Sequence, residues 1–324
     1  MKLHKIFFRV IGLMQRLFSK MVTLIHYFPI YLFFRLKSSA LESDTSSLVF
    51  IVGAPRTGST ILYQALTNCY DLKYIDNLAA SWYKNLPFGM WLSNKKFGLL
   101  PHNNYFANHG NTAEFGEHAP SECGDFWYRW LSKDDHFVDS GETLRKAIKQ
   151  IRSELTQVRS MFGLPLMFKN LNMGQRLRLI KQFAPEAKVV FIRRDPRFVV
   201  RSILKARAKE NVAEHEWWSV KPKNFHELLE LPETEMCAAQ VFYIEEQIKQ
   251  DLQLFPQDSV KTIQYNDLST ISLNSLAEWA GFDKKEGAEP PQFKKDQSTQ
   301  LAQKELQSLQ LVVEKHRFDK EVFC

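Results

Sequence analysis

The amino-acid sequence predicts an α/β fold of three layers, with a central, mainly parallel sheet and a loop-rich aromatic insertion. Three observations predict it. Short apolar runs recur at Leu48-Val49-Phe50-Ile51-Val52, Leu166-Met167-Phe168, Lys188-Val189-Val190-Phe191-Ile192 and Val260-Lys261-Thr262-Ile263-Gln264-Tyr265. The runs at Leu48 and Lys188 have the continuous apolar character of strands covered on both faces. Helical patterns separate the runs, the alternation that belongs to a parallel sheet with crossover helices.

The elements follow in order. Met1 to Lys37 carries Lys2, Lys5, Arg9, Arg16, Lys20, Arg35 and Lys37 and no acidic residue. Its longest apolar-rich stretch, Met21 to Phe34, is interrupted by His26 and Pro29. That is shorter than the roughly 20 residues that span a bilayer, and no cleavage site marks a secretory signal. Pro29 should break or kink any helix here. Two readings stay open: an amphipathic segment lying on an anionic membrane face, or a helix packed on the protein's own domain. Ser38 to Ser46 is polar and reads as a linker, dividing an N-terminal segment, 1–46, from a catalytic domain, 47–324.

Within that domain, Ser59 to Asn68 reads as a helix. Tyr70 to Gly141 reads as loop-rich, with aromatic clusters at Ser81-Trp82-Tyr83, Asn103-Asn104-Tyr105 and Phe126-Trp127-Tyr128-Arg129-Trp130. These serve either as a substrate-binding insertion or as an aromatic subcore. Helices are expected over Glu142–Val158, Gly174–Phe183, Pro196–Glu210, Leu273–Ala280 and Ser298–Lys315.

The bulk properties bound the function. With 324 residues, 44% hydrophobic and 13% aromatic, the chain has ample material for a core, which excludes a disordered protein. A formal charge of +7 suits an anionic ligand or surface. Cys69, Cys123, Cys237 and Cys324 are widely spaced, which fits free thiols and neither a zinc site nor a disulfide framework.

Gly53 and Gly58 in Gly53-Ala54-Pro55-Arg56-Thr57-Gly58-Ser59-Thr60 have the spacing of a phosphate-binding P-loop between a strand and a helix. This makes the fold P-loop-type. Backbone amides there, with a helix N-terminus, form an anion site. The lysine that a nucleoside triphosphatase places after the second glycine is absent; Ser59 stands there, and Arg56 sits inside the loop. Arg194 follows the strand ending at Ile192, and Ser202 lies about two helical turns beyond it. An arginine at a strand end and a hydroxyl on the next helix can grip one phosphate. Two basic sites at one sheet edge imply a nucleotide with phosphates at two ends.

At these residues the sequence resembles the sulfotransferases that use 3'-phosphoadenosine 5'-phosphosulfate. Pro55-Arg56-Thr57-Gly58-Ser59-Thr60 is similar to their 5'-phosphosulfate loop. Arg194 and Ser202, with Asp195-Pro196-Arg197 between, are similar to their 3'-phosphate motif. Phe168-Lys169-Asn170 with Phe183 to Lys188, and Tyr265-Asn266-Asp267-Leu268, resemble further segments of that family, over about Ser47 to Phe282. The Arg-Lys-Gly signature of the cytosolic small-molecule branch is absent, which points to a bacterial or carbohydrate-type branch.

The resemblance implies in-line, metal-free transfer of a sulfuryl group to an acceptor hydroxyl on a carbohydrate or glycolipid, with no nucleic-acid partner. It implies donor binding by Arg56, Thr57, Gly58, Ser59, Thr60, Arg194 and Ser202, and catalysis by Arg56 and Lys169 with a general base. For that base, the segment His109 to Glu122 offers His109, Glu114, Glu117, His118 and Glu122; Glu122 is preferred, His118 is retained, and Asp76 is a rival. A cytoplasmic protein, peripheral at a membrane, is the expected setting. Two other classes stay in view. A P-loop kinase or triphosphatase needs the missing lysine and an acidic magnesium site. A non-enzymatic, membrane-peripheral anion binder has no use for Arg56 and Arg194 after two separate strands.

Overall fold

In a computed structural model of the protein, the residues described are 14–15, 17–36, 47–139, 144–297 and 302–323. The stretch read as a linker, 38–46, lies outside them, as do Lys2, Lys5, Arg9, Glu142, Ser298 and Cys324.

Strand β1 (Leu48–Val52) has all five side chains buried, as a central parallel strand requires. Helix α3 (Ser59–Cys69) follows, then short strands β2 (Tyr70–Asp71) and β3 (Lys73–Tyr74). Strands β4 (Leu166–Lys169), β5 (Lys188–Arg193) and β6 (Val260–Gln264) complete a five-stranded sheet in the order β3-β4-β1-β5-β6. Every pairing in it is parallel. β2 forms a separate antiparallel pair with β7 (Asp283–Lys284).

Alternation along β1 separates two cores. Phe50 and Val52 face one that includes Phe168, Phe183, Val199 and Ile244. Val49 and Ile51 face a second, with Leu62 and Leu66 of α3 and Leu273 and Leu276 of α12 (Thr270–Ala280). Helix layers on both faces are what the three-layer prediction requires. Helices α7 (Arg145–Phe162), α8 (Leu177–Phe183), α9 (Pro196–Glu210) and α13 (Gln303–Glu314) stand where helical patterns are read, with boundaries shifted by a few residues. Asp195 caps α9, its side chain accepting the Arg197 amide, and Pro196 opens the helix.

The middle region is less irregular than its composition suggests. It contains α4 (Asn77–Ala80), α5 (Leu86–Phe97) and α6 (Gly124–Trp127). Phe126 and Trp127 are fully buried, and Trp127 packs edge-on to Phe168 at 5.4 Å. That cluster is subcore. Further helices are α10 (Phe225–Leu228) and α11 (Glu233–Leu252). At the N-terminus, α1 (Leu17–His26) and α2 (Phe28–Leu36) meet at an 82° bend. Pro29, which has no amide to donate, stands in the first turn beyond the break. Among the described residues, no single helix is long and apolar enough to cross a membrane.

Candidate active site

Three adjacent strands deliver the site. In the order β4-β1-β5, their carboxyl ends carry Lys169, the loop 53–58 and Arg194 to one edge of the sheet, where open α/β folds bind ligands. A cavity of about 310 Å³ opens there, lined by Arg56, Gly58, Ser59, Thr60, His109, Glu122, Lys169, Arg194 and Tyr265 among others.

The loop turns sharply at two residues. Gly58 has φ 88°, and a Cβ there would lie 2.3 Å from the Tyr265 ring, so only glycine fits. Arg56 is also left-handed, at φ 68°, where a residue with a Cβ is strained. Two hydrogen bonds hold it. Its carbonyl accepts from Arg194 Nη1 at 2.9 Å, and its own Nε donates to Ser202 Oγ at 2.9 Å. Burial first, then the nearby positive charge of Arg194, lowers the Arg56 pKa. α3 begins at Ser59 with no side-chain cap, leaving its first amides as donors.

Lys169, the last residue of β4, is almost fully buried, and its Nζ donates to Thr60 Oγ1 at 3.0 Å and to Glu122 Oε1. Glu122 remains a third exposed. Gly110, at φ 97°, closes over this trio: a Cβ there would stand 2.9 Å from Glu122 Oε1 and 3.3 Å from Lys169 Nζ. His109, beside it, has both ring nitrogens buried without a hydrogen bond, and the Glu210 carboxylate lies 3.9 Å from Nε2. Burial, then the charge of Arg56, lowers the His109 pKa and favours the neutral ring.

The structure brings Arg56, Gly58, Ser59, Thr60, Lys169, Glu122 and Arg194 to one cavity. Three residues differ from the expectation. Thr57 is buried and its hydroxyl donates to the Ala54 carbonyl at 2.8 Å, so it shapes the loop from within. Ser202 meets Arg56 rather than sharing an open phosphate site with Arg194. His118 is absent from the cavity wall. Its Nδ1 meets Asp76 Oδ2 at 3.1 Å and its Nε2 meets the Leu100 carbonyl at 2.9 Å, and Phe97 stacks on its ring. Both nitrogens are engaged in holding a loop together, away from the cavity.

Asp76, Glu114 and Glu117 also lie outside the cavity wall. Asp76 is fully buried, capping α4 through the Ala79 amide and accepting from Ser93 Oγ at 2.6 Å. Glu117 pairs with Lys96 at the surface, and Glu114 is exposed. Sequence reasoning misses Asp296, whose carboxylate takes both Nε and Nη2 of Arg194. No motif marks it; it lies in the polar run Lys294-Lys295-Asp296. Tyr265 stacks beneath Arg194, ring centroid to guanidinium carbon 4.4 Å. No group of His, Cys, Asp or Glu among the described residues is arranged to hold a metal ion.

No curated protein matches the sequence significantly. Among solved structures, a sulfotransferase from Mycobacterium avium has a TM-score of 0.46 at 11% identity, over 86% of this chain and 70% of that one. A sulfotransferase from Alicyclobacillus acidocaldarius has a TM-score of 0.44 at 14% identity, over 84% and 92% of the two chains. The sulfotransferase domain of the curacin biosynthetic pathway has a TM-score of 0.41 at 13% identity, over 74% and 75%. Residues 48–278, which carry the loop, Glu122, Lys169 and Arg194, match the sulfotransferase family. The chain therefore belongs to the sulfotransferase family and is an enzyme of sulfuryl transfer.

Proposed function

We propose that the donor is 3'-phosphoadenosine 5'-phosphosulfate and the acceptor a hydroxyl on a carbohydrate or glycolipid. One observation carries the donor assignment. Three cationic side chains, Arg56, Lys169 and Arg194, reach one cavity from the ends of three neighbouring strands, at the start of an uncapped helix. The residues fit a two-ended phosphonucleotide. The loop amides and Arg56 take the 5' end, and Arg194 stacked on Tyr265 takes the 3'-phosphate. The cavity lies at the lower end of the usual size range for ligand pockets.

In this reading Arg56 stabilises the charge that grows on the bridging oxygen as the S–O bond breaks. Lys169, fixed by Thr60, faces the sulfuryl oxygens. Glu122 is the one carboxylate among the described residues lining the cavity, and it takes the acceptor's proton. A second reading gives that proton to His109, because its ring nitrogens stand in the cavity wall with no hydrogen bond.

The test has two parts. Adenosine 3',5'-bisphosphate should raise the melting temperature by linkage, and labelled sulfate should pass from the donor to an extracted glycan or lipid. Absence of any shift with the bisphosphate, together with magnesium-dependent ATP hydrolysis, would favour the P-loop kinase or triphosphatase class instead.

A further inference from the structure

Helices α1 and α2 carry two stripes. Lys20, Thr23, Leu24, Tyr27, Ile30, Tyr31 and Phe34 recur at helical spacing and are half-buried. This stripe is fastened to the domain. Tyr31 packs edge-on to Phe88 at 5.3 Å and Tyr27 edge-on to Trp91 at 5.2 Å. Lys95 donates to Tyr27 Oη at 3.0 Å, and Asn85 donates to the Tyr31 carbonyl at 3.1 Å.

The opposite stripe is also apolar, and it faces outward. Ten of the eighteen exposed large hydrophobic side chains among the described residues fall between Met14 and Leu36. Ile25 and Leu36 are 70% exposed and Phe18 is 64% exposed. A contiguous apolar face of this kind marks an interaction surface.

Beside it, between α2, α5 and α7, lies a second cavity of about 400 Å³, lined by Arg35, Lys84, Arg129, Lys149 and Glu154. Arg129 is neutralised by a two-point pair with Glu154 at 2.6 and 2.8 Å. No ion pair among the described residues engages Arg35, Lys84 or Lys149. Three cations without a carboxylate partner thus border an outward apolar face.

We infer that this surface docks on an anionic bilayer, with α1 and α2 lying in the interface and the basic cavity receiving a lipid phosphate headgroup. Charge selects the occupant. Residues 1–37 contain seven Lys or Arg and no acid. A second copy would bring the same positive segment against itself in a symmetric contact, which is repulsive. Anionic headgroups complement it. The bend decides the orientation. Helices of ten and nine residues are each about 15 Å long, half of a bilayer's hydrocarbon thickness, and they turn by 82° while fastened to the domain. They lie on the membrane and do not cross it.

The experiment uses the full chain and co-sedimentation with vesicles of phosphatidylcholine alone or mixed with phosphatidylserine or phosphatidic acid. Binding should be about tenfold or more tighter to the anionic vesicles and should weaken with salt. Lys84→Glu with Lys149→Glu should reduce that preference severalfold, the basic residues of 1–37 supplying what remains. Phe18→Ser with Ile25→Ser and Phe33→Ser should abolish sedimentation altogether, with an unchanged circular dichroism melt. Equal binding of the unmodified chain to neutral and anionic vesicles overturns the proposal. So does retention of the full anionic preference by the lysine double variant. A dimer in light scattering that binds no vesicle, and that the triple variant turns into monomer, shows instead that the face meets a second copy.

Discussion

The Asp296 carboxylate forks onto Arg194, with Oδ2 2.5 Å from Nε and Oδ1 2.7 Å from Nη2. Asp296 is itself fixed by Asn266, whose side chain bonds its amide at 2.8 Å and its carbonyl at 3.1 Å. The third nitrogen of Arg194 is spent on the Arg56 carbonyl. A phosphate that takes Arg194 has to displace this resident carboxylate. Asp296→Asn should therefore tighten binding of adenosine 3',5'-bisphosphate by about tenfold, the scale of one charge-assisted hydrogen bond. Titration calorimetry reads it. Weaker binding would mean that Asp296 aims Arg194 at the phosphate.

Glu122→Gln keeps the size of the side chain and an acceptor for Lys169 but cannot take a proton. Sulfate transfer should fall by about a hundredfold or more, while bisphosphate binding persists. If His109→Ala shows that loss and Glu122→Gln does not, the base is His109. A His109 base is neutral at pH 7, and because burial and Arg56 hold its pKa below the usual 6.5, the acid limb of kcat/KM should fall below that value.

Gly58→Ala should be poorly tolerated. The added methyl meets the Tyr265 ring at 2.3 Å in a left-handed backbone position. Overpacking costs about 1–3 kcal/mol and the backbone about 1–2 kcal/mol more. Urea unfolding measures the sum. Adding Tyr265→Ala should recover the steric part and leave the backbone part.

Two buried histidines should make the protein acid-sensitive. His136 Nδ1 accepts the Lys221 amide at 2.8 Å, and burial draws its pKa down to about 4. His102 Nδ1 accepts the Asn104 amide at 3.0 Å, and burial draws its pKa down to about 3. The unfolded chain protonates both near pH 6.5, so it binds more protons than the folded chain below that pH. Stability should fall from about pH 6.5 down to about pH 4 for His136 and about pH 3 for His102, by up to about 1.4 kcal/mol per pH unit for each. His136→Gln should flatten its share of this slope in urea titrations between pH 7 and pH 5.

The strands and the phosphate loop are legible in the sequence because burial on both faces leaves unbroken apolar runs, and a glycine loop between strand and helix has fixed spacing. Helix α11 is hidden for a physical reason. Its inward face carries Gln240, Glu245 and Asp251, all buried and paired, with Glu245 holding Arg193 at 2.7 Å. Polar residues in the buried stripe erase the apolar period by which a helix is recognised. Lys169 could be singled out at its strand end, but its contact with Glu122 joins residues 47 positions apart and has no local signature. His118 shows the converse. A histidine in a polar, glycine-punctuated segment has the composition of a catalyst, and the fold uses it to fasten the Leu100 loop to Asp76.

Arg193 and Arg194 are neighbours in the chain with opposite destinations: one reaches into the core and one into the cavity. Each is tied to a carboxylate from far downstream, Asp319 for Arg193 and Asp296 for Arg194. During synthesis the loop, Lys169 and both arginines leave the ribosome well before those partners. Arg193 meets Glu245 before the last strand of the sheet, Val260–Gln264, has emerged, whereas Arg194 finds its carboxylate only when the segment carrying Asp296 returns to the sheet edge. Order of emergence thus separates acquiring the fold from acquiring the competent site.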